Sequence, residues 1–217
     1  ILYRSGSLTM YTEAPWIYRR QDAKGNYYGD YYLFYASQWR EKMAYVTTGD
    51  LMNGKWSDRQ VIMSPTATSN TNHMAVFDFK GKTYFVYHNG SLPKGNGYRR
   101  SPCIRELTFK EDGSVVPMEE TAAGLNGTTT EFYTSSGALL GHEYFQNSSL
   151  DGKYPYKDIK IGAGYGKSAL DRKWVVTDGK ADKTKASYVS IQSENKPGLY
   201  ITANSQSGVT LAQDTKG

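Results

Sequence analysis

Met74-Ala75-Val76-Phe77-Asp78-Phe79-Lys80-Gly81-Lys82-Thr83-Tyr84-Phe85-Val86-Tyr87 is the stretch that decides the fold class of this chain. Two apolar and aromatic runs of strand length flank Lys80-Gly81-Lys82. A glycine inside so short a connection predicts a tight turn between antiparallel strands. Working outward, the same alternation of strand and turn recurs at Tyr31–Tyr35, Met43–Thr47 and Arg59–Met63 on one side. On the other side it recurs at Cys103–Phe109, closed by Glu111-Asp112-Gly113. No segment of ten or more residues before Met118 repeats apolar residues at a period of 3.6, so the chain reads as all-β. Strands this rich in aromatic residues, grouped in fours, point to a propeller or a sandwich.

Composition agrees with that reading. The 217 residues include 19 Tyr against 7 Phe and 4 Trp, although only 38% of the chain is hydrophobic. Tyrosine fits a pleated, half-buried surface and tolerates a wet one. The 26 Lys and Arg are interspersed with 21 acidic residues and form no long block, which speaks against nucleic acid as a partner despite the formal charge of +5. No apolar run reaches the roughly 18 residues of a membrane span. The first residues, Ile1-Leu2-Tyr3-Arg4, lack the charged and apolar regions of a signal peptide, so the start reads like the middle of a domain. A single cysteine, Cys103, excludes an internal disulfide and reads as a small buried hydrophobe. Sequons at Asn89, Asn126 and Asn147 arise often by chance and decide nothing.

Between Val116 and Gly137 the aromatic strands give way to Glu119-Glu120, Gly127 and Thr128-Thr129-Thr130, the composition of a junction. A first domain is therefore expected over residues 1–120, a junction over 121–137 and a second domain over 138–217. In the second, strands are predicted at Ser187–Gln192, Gly198–Thr202 and Val209–Ala212.

Several polar residues invite a chemical reading. Glu13 precedes Ala14-Pro15, and a proline fixes its own φ while biasing the residue before it towards an extended conformation. The carboxylate is thus predicted on a rigid turn, where the pattern alone favours an ordinary turn glutamate. His73 ends the polar run Asn70-Thr71-Asn72-His73 and reads, taken alone, as a hydrogen-bonded structural histidine. Arg99 and Arg100 follow the loop Pro93-Lys94-Gly95-Asn96-Gly97, where they are either a solvated basic patch or forks for hydroxyl and carboxylate groups. Trp16 and Trp39 suit either core packing or stacking on an apolar ligand face.

Three stretches in order resemble glycoside hydrolase family 43 over residues 8–117. Thr12-Glu13-Ala14-Pro15-Trp16-Ile17-Tyr18-Arg19, followed by Tyr31-Tyr32-Leu33-Phe34-Tyr35-Ala36-Ser37, resembles the segment that presents that family's general acid. Asn70-Thr71-Asn72-His73, running into Asp78-Phe79-Lys80-Gly81-Lys82-Thr83-Tyr84, is similar to its metal-histidine loop and the hairpin behind it. Tyr87-His88-Asn89-Gly90, leading to Arg99-Arg100-Ser101 and Cys103, is similar to the arginine-bearing loop of the arabinofuranosidase branch. A shorter match, from Tyr188-Val189-Ser190-Ile191-Gln192-Ser193 through Pro197-Gly198-Leu199-Tyr200-Ile201, resembles one repeat of arabinofuranose-binding β-trefoils. There Thr202-Ala203 replaces the usual Arg-His pair.

The resemblance implies the last two or three blades of a five-bladed β-propeller followed by part of a β-trefoil. It implies an extracellular, inverting hydrolase that removes α-L-arabinofuranosyl groups from arabinoxylan or arabinan, with Glu13 as proton donor and no nucleotide or redox cofactor. It further implies a structural calcium contacted by His73 at the propeller axis, its other ligands mostly water, although one nitrogen ligand is atypical for so hard a cation. Trp16, His88, Arg99 and Arg100 become candidates for holding sugar. Within the same family a β-xylosidase is the alternative, and outside it a non-catalytic carbohydrate-binding protein. The family's general base and its pKa-tuning aspartate precede the acid, whereas none of the twelve residues before Glu13 is Asp. The chain is therefore expected to be inactive on aryl glycosides by itself and to need the remaining N-terminal half.

Overall fold

The computed structural model describes residues 8, 10–144, 159–203 and 208–214; the Asn147 sequon lies outside them. Strands β1 (Tyr11–Gln21), β2 (Tyr27–Ser37), β3 (Lys42–Thr48) and β4 (Gln60–Met63) form an antiparallel sheet in that order. Next come β5 (Ala75–Phe79), β6 (Lys82–Asn89) and β7 (Ser101–Glu106), a second sheet in chain order. The hairpin expected around Lys80-Gly81 is present, with Phe79 opposite Lys82 and both turn residues at positive φ, 49° for Lys80 and 75° for Gly81. Cys103–Phe109 was expected as one strand, but β7 stops at Glu106 and Phe109 instead pairs with Val115 across a short isolated bridge.

The chain divides into two compact units. The first comprises Ile1–Pro65, Ser69–His88 and Pro102–Glu119. Its first sheet is apolar on both faces. Tyr32, Phe34 and Ala36 of β2, with Met43 and Tyr45 of β3, pack against Val76, Phe85, Tyr87, Leu107 and Val115. The residues between them, Leu33, Tyr35, Ala44 and Val46, form a second cluster on the opposite face, covered in part by Leu8 and Trp56. Strands buried on both sides lose the apolar–polar alternation of a half-exposed sheet, which is why these segments read in sequence as continuous apolar runs. Cys103 packs against the edge of the first cluster.

β1 is an edge strand, one of the few places where Pro15, which cannot donate to a sheet ladder, is tolerated. The register explains how it is accommodated. Tyr11 lies opposite Ser37 and Glu13 opposite Ala36, so Thr12 is extra; Trp16 then lies opposite Phe34, so Ala14 and Pro15 together face Tyr35. Two bulges therefore flank Glu13. The segment expected to be a turn is a doubly bulged strand, and Ala14 is not extended but left-handed, with φ of 59°.

The second unit comprises Thr66–Thr68, Asn89–Ser101 and Glu120–Gly217. Two segments from within residues 1–120 thus pack with the later part of the chain. β8 (Leu140–Tyr144) pairs with β9 (Ile159–Ala163), and β10 (Trp174–Asp178), β11 (Val189–Ser193), β12 (Leu199–Ala203) and β13 (Val209–Gln213) form a four-stranded antiparallel meander. A short 3-10 turn, Ala169–Arg172, is capped by Ser168 and Asp171 in a reciprocal capping box. Trp174 is fully buried in a cluster with Ala67, Ile159, Leu199 and Leu211, and its indole Nε1 donates to Leu140 O at 3.0 Å. No helix among the described residues is long and apolar enough to cross a membrane.

Candidate active site

In the first unit, a cluster of acids and imidazoles converges beside the bulges of β1. The two bulges re-aim Glu13 out of the ladder, as bulges commonly do beside functional groups. Its side chain remains 44% exposed. The Glu13 carboxyl Oε1 lies 3.0 Å from His73 Nε2, a hydrogen bond that also counts as an ion pair when the imidazole is protonated. His73 sits on the loop entering β5, and its ring centroid is 6.1 Å from that of His88 on β6.

The loop that carries His73 is fixed from below by Asn72, which is fully buried. Its side-chain Nδ2 donates to His88 O at 2.9 Å, and its Oδ1 accepts from His88 N at 3.4 Å, so one amide clasps the end of β6. The Asn72 backbone N–H donates to Oε2 of Glu41. Glu41, at the entry to β3, is 3% exposed, and its own N–H donates to Asn70 O at 2.9 Å. The Glu13 carboxyl is close enough to act electrostatically on Glu41. Burial holds the Glu41 carboxyl above the usual carboxylate range. The Asn72 N–H acts the other way, the Glu13 carboxyl pushes it up further, and His73 pulls it back.

Sequence reasoning singled out Glu13, His73 and His88, and all three meet here. It missed Glu41 and Asn72. Glu41 sits in the charged triplet Arg40-Glu41-Lys42, which reads as a solvated turn. Yet the strand period was available: Met43 and Tyr45 face the first apolar cluster, and stepping back two residues puts Glu41 in the same phase.

The other candidates are distributed differently. Trp16 is 41% exposed on β1, with its indole Nε1 donating to Val76 O at 2.9 Å, which fixes the ring against β5. Trp39, at 67% exposure on the β2–β3 turn, is not a core residue. Arg99 and Arg100 are exposed and belong to the second unit. Their loop is shaped by Asn96, whose Oδ1 accepts from the N–H groups of Tyr98 and Arg99, while Arg100 Nε donates to Gly97 O at 2.7 Å. Among the described residues no three His, Cys, Asp or Glu side chains gather as a metal cluster. Calcium takes about six to eight oxygen ligands. His73 Nε2 is engaged with Glu13 Oε1, any further ligands would have to be water, and no chemical step is assigned to a metal.

A bulged, solvent-reachable carboxyl hydrogen-bonded to an imidazole can exchange a proton with a bound molecule. The model of glycosyl hydrolases family 43 matches residues 3–115, a little over half of the chain, and the chain belongs to that family. It is similar to a xylosidase/arabinosidase of Bacteroides ovatus, 31% identical over 107 residues that cover 49% of this chain and 30% of the relative. A beta-D-galactofuranosidase of Aspergillus niger is 30% identical over 126 residues, covering 55% of this chain and 35% of that protein. An arabinoxylan arabinofuranohydrolase of Paenibacillus polymyxa is 44% identical over 59 residues, 25% of this chain and 9% of the relative. The chain spans about a third of the length of the first two of these relatives.

Proposed function

We propose that this chain supplies the proton donor, Glu13, of an inverting glycoside hydrolase that removes α-L-arabinofuranosyl groups from arabinoxylan or arabinan. The observation that carries the reading is the placement of Glu13 between two bulges, part-exposed to solvent yet hydrogen-bonded to His73. A donor must hold its proton near neutrality and release it to the departing glycosidic oxygen while a second carboxylate activates water. Family membership supports hydrolysis of glycosidic bonds. The arabinoxylan-directed name of one relative supports the substrate, and the double name of another favours β-xylosidase as the second reading.

The second carboxylate is expected from residues ahead of Glu13 in the full-length protein. A β-sheet apolar on both faces supports blades stacked about a propeller axis, and within the first unit Trp16 and His88 are read as sugar-holding residues. Residues from about 138 onward are read as part of a trefoil-like module, with the repeat at 188–212 weak because Thr202-Ala203 stands where a basic pair is expected. An extracellular location accords with polysaccharide as substrate. Digestion of arabinoxylan by the full-length protein should release arabinose. The Glu13→Gln variant should release none while still binding the polymer. Release of xylose from chain ends in place of arabinose would favour the second reading, and unchanged hydrolysis by Glu13→Gln would remove the assignment of the donor.

A further inference from the structure

The loop joining β6 to β7 carries Arg99 and Arg100, and its stem is gripped by the far end of the chain. Gln213, the last residue of β13, donates from Nε2 to Gly90 O at 2.8 Å and to Gly95 O at 3.0 Å. One side-chain amide thus pins the loop at two points that lie 123 and 118 residues away in sequence. The turn before β12 meets the same stem. Gly198 has φ of 84°, and a Cβ there would lie 2.7 Å from Ser91 Cα and 2.8 Å from Ser91 O, so only glycine lets the two backbones come this close. Asn89 anchors the loop where β6 ends: its Nδ2 donates to Glu120 Oε1 at 2.9 Å, and its Oδ1 accepts from Ser91 N at 3.0 Å. All of these residues belong to the second unit. The tip of the loop orders itself, through Gly95 N donating to Leu92 O at 2.8 Å and Asn96 N donating to Arg99 O at 3.1 Å.

We propose that Gln213 is a positioning residue for the arginine loop, and that the β12–β13 hairpin acts as a brace which holds this loop in one conformation. The consequence for substrate rests on Arg99 or Arg100 as a sugar-holding side chain; the brace itself does not. A guanidinium fork recognises hydroxyl groups only in a defined direction, so the loop that carries it has to be held. A loop ordered before the sugar arrives spares binding the entropy of ordering it then. Gln213 suits this task because an amide NH2 has two donors, and it meets two backbone carbonyls with them. The hairpin that lacks the basic pair at Thr202-Ala203 thereby has a task other than binding arabinofuranose: its leading turn and its last residue both face the loop.

The test uses Gln213→Glu in the full-length protein, a change that keeps the side chain's size but leaves it with acceptors only. Lys94, Arg99 and Arg100 are exposed and give trypsin three cleavage points inside the loop. Cleavage there, located by mass spectrometry under native conditions, should speed up by about tenfold or more in the variant, with cleavage elsewhere and the melting temperature little changed. KM for arabinoxylan should rise by about two- to tenfold while kcat stays close to that of the wild type. Loop cleavage that is the same in wild type and folded Gln213→Glu overturns the proposal. So does an unchanged KM in Gln213→Glu beside a raised KM in Arg99→Ala or Arg100→Ala. If Gln213→Glu does not fold, Gln213→Met takes its place with the same expectations. If neither folds, the wild type decides: cleavage after Lys94 as fast as in a free peptide of residues 89–101 overturns the brace, and cleavage far slower than in that peptide supports it. The sugar-holding reading fails separately, since Arg99→Ala and Arg100→Ala that both leave KM unchanged remove it while the protease result still stands.

Discussion

At the residue scale, the position next to Glu13 carries the local strain. Ala14 adopts φ of 59°, a conformation that costs an L-residue roughly 1–2 kcal/mol and a glycine almost nothing. Strain of this kind persists where surrounding contacts over-determine the backbone, and here the surroundings are Pro15, the bulge opposite Tyr35 and the tether of Trp16 to Val76. Replacing Ala14 by glycine should therefore raise stability by up to about 1 kcal/mol in denaturant melts, the relief of strain being partly offset by the greater freedom of glycine in the unfolded chain. A clear loss of stability would mean that the Ala14 methyl contact with the first apolar cluster outweighs its backbone cost. The extended conformation expected from Ala-Pro fails for the same reason. The proline rule describes an isolated dipeptide, whereas a strand that must pass Pro15 along a ladder bends at the residue before it.

At the scale of elements, a buried carboxyl ties three segments of the second unit together. Glu120 accepts Ala67 N at 2.6 Å and Asn89 Nδ2 at 2.9 Å, and burial raises its pKa from 4.5 to about 7 against the pull of those hydrogen bonds and of Lys196. The folded state then holds the proton more tightly than the unfolded chain. This contribution to stability is fully present below the unfolded value of 4.5 and is lost as pH rises through about 7. The stability of the wild type relative to Glu120→Gln should accordingly grow, by an amount on the order of 3 kcal/mol, from about pH 8 to below about pH 5. A difference that stays constant across this range would show that Glu120 titrates normally. Legibility also divides by element. β2, β3, β5 and β6 were readable because long apolar runs sit between glycine-bearing turns, and β11 to β13 for similar reasons. β1 was hidden by Pro15. β8 to β10 were hidden because Ile159-Lys160-Ile161 and Trp174-Val175-Val176 carry too few alternating residues to outweigh the polar sequence around them.

At the scale of the whole molecule, the sequence carried the family and pointed to Glu13 and His73, but not to the buried network beside them. Glu13 and His73 stand in recognisable motifs. Glu41 and Asn72 act through a buried hydrogen-bond network between β3 and the His73 loop, a relation 31 residues long that no local pattern encodes. Their signal was only the inward phase of Glu41 along β3. Arg99 and Arg100 were grouped with the donor by motif order, whereas their segment packs within the second unit. The central claim is that Glu13 gives a proton to the leaving group, and the measurement that tests it most directly is a leaving-group series. Values of kcat/KM for aryl arabinofuranosides of graded phenol acidity should be compared between the full-length wild type and Glu13→Gln. Proton donation matters most when the departing oxygen is basic. The variant should therefore lose orders of magnitude on the least acidic phenols and little on the most acidic ones, with a dependence on leaving-group pKa much steeper than that of the wild type. Parallel dependences, with the same loss on every substrate, would contradict the account.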